Sequence, residues 1–180
     1  MNPFGPLVVF LLASTVSAAS TPSTVDVERA DSTYNVEAAF DVDASPEIVW
    51  QVLTDYEGIG KFVSSIRSST VLRREVDHVV LQQDGVGNAW VISIPMHVVL
   101  DVREVNGQRL MFRDLCGKSF STYEGNWEIT KSSIGTRVEY RLKADPVGRQ
   151  PSLLARSAIR GSVTKLLNEV RREILVRANE

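Results

Sequence analysis

The chain has 180 residues, 43% of them hydrophobic, which suits one globular domain with a real core and excludes a disordered chain. With 22 Asp and Glu against 20 Lys and Arg, the formal charge is -2, and the whole chain carries no basic footprint for nucleic acid. Its single cysteine, Cys116, excludes an intramolecular disulfide and any zinc site built on paired cysteines.

The first 18 residues read as a secretory signal peptide. Leu7 to Ala13 form an unbroken apolar run, too short to span a bilayer, and small residues follow with Val16-Ser17-Ala18 or Ser17-Ala18-Ala19 as cleavage triplets. No Lys or Arg precedes the run, so the α-amino group is its one positive charge. A secreted or periplasmic location is the expectation. Residues 19–31 are polar, rich in Ser and Thr and without a sustained period, and read as a linker ahead of a domain over 32–180.

Tyr34 to Val42 alternate strictly, with Tyr34, Val36, Ala38, Phe40 and Val42 on one parity, which predicts a strand with one wet face. Ser45 as N-cap and Pro46 at the first helical position then open a helix. Val49, Val52, Leu53 and Tyr56 give it an apolar face, with Trp50 on the flank. Gly58 and Gly60 are expected to end that helix, as glycine does where a positive φ is needed. Lys61 to Ser64 add a second short turn around Phe62.

A run of strands follows. Val71 to Glu75 and His78 to Gln83 are separated by a short turn. Trp90, Ile92, Ile94, Met96, Val98, Leu100 and Val102 share one parity in the clearest strand of the chain. Pro95 falls on the other parity and calls for an edge or a bulge there. Asn106-Gly107 is a hairpin signal, and Arg109 to Cys116 return. Phe120 to Thr130 place Tyr123, Gly125, Trp127 and Ile129 on one face, and Thr136 to Ala144 place Val138, Tyr140 and Leu142 on one face. From Ser152 to Arg177 a long amphipathic helix carries Ile159, Val163, Leu166, Val170 and Ile174; at about 1.5 Å per residue it runs roughly 40 Å and crosses a whole sheet. Gly161 in its middle can relax the helix or admit a bulky neighbour.

This order predicts an α+β fold: a curved antiparallel sheet wrapped around a long C-terminal helix, with two short helices after the first strand. That order, with "DVDASPEIVWQVLTDYEGIGKFV" early and "FSTYEGNWEIT" late, resembles the START-like helix-grip superfamily. The matching marks are Ala44-Ser45-Pro46, Val49-Trp50, Leu53-Thr54-Asp55-Tyr56 and Gly125-Asn126-Trp127. They are similar to those of the polyketide cyclase/dehydrase and lipid-transport branch, which includes the coenzyme-Q-binding proteins. The resemblance implies a hydrophobic cavity between sheet and C-terminal helix, for ligands such as sterols, phospholipids, quinones or polyketides. Where relatives have a Tyr-Pro-like step and an aromatic, this chain has Glu57-Gly58-Ile59-Gly60, which is expected to gate one end together with Trp50 and Phe62.

The ligand-lining candidates are the apolar residues of the inner parities: Phe40, Trp50, Phe62, Trp90, Ile92, Ile94, Met96, Val98, Phe112, Tyr123, Trp127, Tyr140, Leu142, Ile159, Val163 and Leu166. The expected partner is a hydrophobic small molecule or lipid, carried without catalysis and without cofactor or metal. Transient contact with an anionic membrane surface fits the basic residues from Arg149 onward, and no nucleic-acid partner is expected. A second reading is a cyclase or dehydratase using an acid or base inside the cavity, with Asp114, Arg113, Tyr123 and Tyr140 as candidates. Alternation leaves open which of Arg113 and Asp114 faces inward. A third reading is a protein-interaction module. His97 lies on the outward parity of its strand.

Overall fold

The computed structural model describes residues 23–89, 92–148 and 152–180, and of residues 88–89, 92–93 and 152–154 the backbone alone. The expected leader at 1–18, Trp90 and Arg149 lie outside the described residues, as does the side chain of Ile92. Eight strands form one antiparallel sheet in the order β1-β2-β8-β7-β6-β5-β4-β3. They are β1 (Thr24–Ala30), β2 (Thr33–Val42), β3 (Ile66–Arg74), β4 (His78–Ala89), β5 (Ile92–Val105), β6 (Arg109–Asp114), β7 (Phe120–Ser132) and β8 (Gly135–Pro146). Helices α1 (Pro46–Leu53) and α2 (Ile59–Phe62) link β2 to β3, and α3 (Ser152–Arg177) packs its apolar stripe on the concave face. This is the expected curved sheet around a C-terminal helix.

Two features correct the sequence reading. Residues 24–30, expected as linker, are strand β1, paired with β2 from Thr24↔Ala39 to Ala30↔Thr33. The short helices follow the strand Thr33–Val42 as expected, with β1 added ahead of it. Val27 is buried beneath it, while Ser23 donates to Asn168 at 3.0 Å and Arg160 to Asp26 at 3.3 Å, so tertiary contacts with α3 hold a segment whose own alternation is too brief to signal.

The second correction concerns the glycines after α1. The helix starts as expected, with the Ser45 hydroxyl accepting from the Ile48 N–H and Pro46 in the first turn. It ends at Leu53, where the Thr54 N–H and hydroxyl both donate to the Trp50 carbonyl at 2.9 and 2.8 Å. Gly58 has φ of -83° and introduces α2 rather than terminating α1. What it requires is space: a β-carbon there would fall 2.4 Å from the Asp55 carboxylate, which accepts the Gly58 N–H at 3.1 Å.

Pro95 occupies a local edge, as its ring demands. Strand β6 pairs with β5 from Leu100 to Val105, leaving the first half of β5 without a strand on that side. Val86, opposite Pro95, donates its N–H to Ser65 away from β5, so the Pro95 nitrogen also points away from β4. At the β5–β6 turn, Asn106 and Gly107 both have positive φ (51° and 67°), the geometry the Asn-Gly pair predicts.

The inner face divides into two regions. Phe40, Val42, Val49, Val52, Val63, Val138, Leu167 and Ile174 are fully buried and make a dry core around α1 and the second half of α3. Toward the first half of α3, the inward side chains of Met96, Phe120, Tyr123, Trp127, Ile159 and Leu166 pack on that core yet are not fully buried.

Candidate functional site: the aromatic end of the sheet–helix interior

The half-buried Phe112, Phe120, Tyr123 and Trp127 of β6 and β7 form an aromatic group around Tyr140 of β8, which belongs to the buried core. Trp127 and Tyr140 face each other across a cross-strand pair with ring centroids 4.4 Å apart. Phe112 lies 5.8 Å from Tyr123 and 6.2 Å from Tyr140. Phe120 completes the group at 4.6 Å from Tyr123. These separations are those of offset and tilted aromatic pairs, which hold their shape beyond simple area burial.

Phe120 is the member that alternation misses. It and Tyr123 are an odd number of residues apart and should face opposite ways. The register slips between Phe120↔Pro146 and Thr122↔Asp145, and this bulge turns both rings inward. A hollow of about 170 Å³ opens here, lined by Arg113, Asp114, Gly117, Phe120, Ser121, Thr122, Tyr123 and Glu124. It connects the β6–β7 turn with the rings of Phe120 and Tyr123.

Arg113 and Asp114 are distinguished by their partners. Arg113 points outward, largely exposed, and pairs with Asp101 at 3.0 Å. Asp114 shares the inward parity of Leu110 and Phe112, but its carboxylate serves the turn. Oδ1 accepts the N–H of Val99 at 2.8 Å and of Cys116 at 3.2 Å, and Oδ2 accepts that of Gly117 at 2.9 Å. Burial alone would raise the Asp114 pKa; the backbone N–H groups of Val99, Cys116 and Gly117 and the Cys116 thiol outweigh it and hold the carboxyl below its ordinary range. Burial pushes both phenols, Tyr123 and Tyr140, up, and the Tyr123 hydroxyl facing that of Tyr140 raises Tyr140 further. Both phenols therefore stay protonated near neutral pH.

The remaining candidates spread over both regions. Met96, Tyr123, Trp127, Ile159 and Leu166 are in the half-buried region, and Phe112 joins them. Ile94 is 38% exposed on the half of β5 that pairs with β4 but not with β6. Phe40, Val98, Leu142 and Val163 belong to the buried core. Trp50 and Phe62 pack against that core from α1 and α2, under the far half of α3. There Arg177 bonds Asp55 at 2.7 Å and lies 5.7 Å over the Phe62 ring, and Glu169 takes the Ser64 hydroxyl at 2.6 Å and its N–H at 3.1 Å. The segment expected as a gate is thus fastened to α3 by polar contacts.

His97 is on the outer face, as its parity predicts, 2.6 Å from Asp84. Cys116 has its thiol 3.6 Å from Asp114. Among the described residues no group of three or more His, Cys, Asp or Glu is placed to hold a metal ion, and no helix is long and apolar enough to cross a membrane.

Comparison with known proteins places this geometry in context. A family model described as polyketide cyclase / dehydrase and lipid transport matches residues 33–174. No curated protein matches the chain. Among solved structures, the STAR-related lipid transfer protein of Xanthomonas axonopodis superposes with a TM-score of 0.71 at 17% identity, covering 88% of this chain and 96% of its own. The Zhui aromatase/cyclase from Streptomyces sp. R1128 has a TM-score of 0.65 at 14% identity, covering 82% of this chain and 94% of its own. A START superfamily protein from Mycobacterium smegmatis has a TM-score of 0.66 at 15% identity, covering 78% and 96%. At these identities the likeness is one of fold.

Proposed function

Because the chain belongs to the polyketide cyclase / dehydrase and lipid transport family, we propose that it binds and carries a hydrophobic small molecule or lipid between the sheet and the first half of α3, without transforming it. The observation that carries this reading is the contrast within one inner face. Apolar side chains around α1 are dry, while Phe120, Tyr123, Trp127 and Ile159 remain partly open, and Phe120 and Tyr123 line a hollow. A ligand that covers those rings gains about 25 cal/mol for each Å² of apolar surface taken from water. At about 170 Å³ the hollow is smaller than the ~300–1,000 Å³ of most ligand pockets, so a whole ligand enters by moving the aromatic side chains apart.

The groups a cyclase or dehydratase would draw on are engaged otherwise, which favours carriage over catalysis. Arg113 faces solvent, the Asp114 carboxylate is taken by three backbone N–H groups, and the two phenols hold their protons and so offer no base. Tyr123 supplies a hydroxyl for a polar group on an otherwise apolar ligand. Export is part of the same proposal and is supported by the apolar run Leu7 to Ala13 followed by small residues. So is transient contact with an anionic membrane surface, supported by Arg156 and Arg172, which are charged positions on α3.

Native mass spectrometry of the purified protein, followed by organic extraction, tests the reading. The expected result is a bound apolar molecule that Trp127→Ala weakens while the fold is kept. A protein that takes up nothing from a panel of sterols, phospholipids, quinones and aromatic polyketides refutes it.

A further inference from the structure

A groove of about 540 Å³ lies on the outer face of the sheet, over β5 to β8. Cross-strand register shows how it is built. Arg103, Met111, Asn126 and Arg141 stand in one line across the four strands. On one side runs the line Asp101, Arg113, Glu124, Lys143, and on the other Val105, Arg109, Glu128, Glu139.

The flanking carboxylates already have cations. Asp101 takes Arg113 at 3.0 Å and is also met by His78. Glu128 takes Arg109 at 2.8 Å and Arg141 at 3.4 Å, and Glu124 is 3.8 Å from Lys143. Arg103 is exposed and has no such partner among the described residues. All five of its donors are therefore free, whereas Arg109, Arg113 and Arg141 each give part of theirs to a carboxylate.

The floor beside Arg103 is apolar. Met111, directly opposite it, is 39% exposed on a face otherwise populated by charges. Next to Met111 the chain runs through Gly125, which presents no side chain. A β-carbon at Gly125 would fall 2.8 Å from the tip of the Phe112 ring, which packs on the inner side against Tyr123 and Tyr140. A guanidinium with free donors thus borders a strip of thioether and glycine backbone.

We propose that this groove is a second ligand site, which takes a small organic carboxylate with a flat apolar body: Arg103 pairs with the carboxylate and the body lies over Met111 and Gly125. The fork of a guanidinium matches a carboxylate bidentately, whereas a neutral head offers it only a weaker, uncharged acceptor and a cationic head none. The methionine sulfur suits the edge or face of a flat π-system. The groove shares Arg113 and Glu124 with the hollow, but Arg103 and Met111, which carry the proposal, belong to the groove alone, so it does not rest on the reading given to the chamber.

The chain's own methionines separate the two sites. It has three, Met1, Met96 and Met111; Met96 packs inside against the core and Met111 stands in the groove. The full chain, labelled with carbon-13 on the methionine methyls and assigned with Met111→Leu, is titrated with 2-naphthoate and with neutral 2-naphthamide at low salt. The Met111 signal is expected to move saturably with 2-naphthoate and at least about fivefold more weakly with the amide. Arg103→Gln, an exposed change that leaves the fold intact, should weaken the carboxylate at least about fivefold. An equal Met111 response to acid and amide, a shift that never saturates, or unchanged affinity in Arg103→Gln overturns the proposal. Movement of Met96 alone reports binding in the chamber and likewise overturns the groove site.

Discussion

Asp114 stands on the chamber side of the sheet, and its role decides whether an acid is available there. The structure makes it the acceptor that closes the β6–β7 turn, with three backbone N–H groups on its two oxygens. Asp114→Asn keeps one acceptor oxygen and sets an NH2 group against at least one of those donors. A hydrogen bond to a charged acceptor contributes about 1.5–3 kcal/mol, and the partial solvation of this carboxylate reduces the expected loss to about 1–2 kcal/mol.

The pH dependence gives a sharper test. The Asp114 pKa in the folded protein lies below its ordinary value of 3.8, because the backbone N–H groups outweigh the effect of burial. The unfolded chain therefore takes up the proton first. The stabilisation is complete above the unfolded value and is lost as pH falls through the folded one. Asparagine has no such titration, so wild type and variant should differ by about 1–2 kcal/mol from neutral pH to roughly pH 5 and converge as pH falls through the folded value. Urea unfolding followed by tryptophan fluorescence at several pH values measures the gap. A gap under about 0.5 kcal/mol at neutral pH, or one that stays level or widens on acidification, refutes the assignment of the carboxylate as the turn's acceptor.

Three further outcomes rest on equally local geometry. Gly161 is exposed, and an alanine methyl there would meet nothing within 4 Å, so the position neither admits a bulky neighbour nor needs to be glycine; Gly161→Ala should raise stability by about 0.5–1 kcal/mol in thermal unfolding. At Gly125 the same methyl would fall 2.1 Å from the Arg141 carbonyl oxygen, and Gly125→Ala should lower stability by about 1–3 kcal/mol or shift the β7–β8 amide signals. Arg177→Ala removes contacts to Asp55, Glu173 and the Phe62 ring and should cost about 1–2 kcal/mol; a double-mutant cycle with Asp55→Ala should show coupling, and strict additivity would argue against a working ion pair.

Most of the fold is legible in alternation. Tyr34 to Val42 and Thr136 to Ala144 show it because each has one dry face, and they pair in the sheet with that face inward. Strand β1 is illegible for a physical reason: its brief alternation, Val25 and Val27, lies among polar residues, and its order comes from β2 and from α3. Phe120 escapes because a bulge breaks the period on which the reading depends. The choice between Arg113 and Asp114 rests on the end of a strand, where alternation gives way to the needs of a turn. The outer groove is legible only after register is known, since Arg103, Met111, Asn126 and Arg141 are scattered along four strands.

The polar fastenings of α3 show which end can yield to a ligand. From Arg160 onward the helix is tied to its surroundings: Arg160 to Asp26, Asn168 to Ser23, Glu169 to Ser64 and Arg177 to Asp55. Between Ala155 and Ile159 no side-chain bond to the rest of the fold is present among the described residues, and the helix rests on apolar contacts. Apolar contacts are non-directional, and those lost when the helix lifts are replaced by contacts to an apolar ligand. A directional ion pair broken at the other end would find no replacement in such a ligand. For the proposed ligand, entry beside Ile159 would exchange like for like, whereas entry past Asp55 and Arg177 would break bonds that the ligand cannot restore.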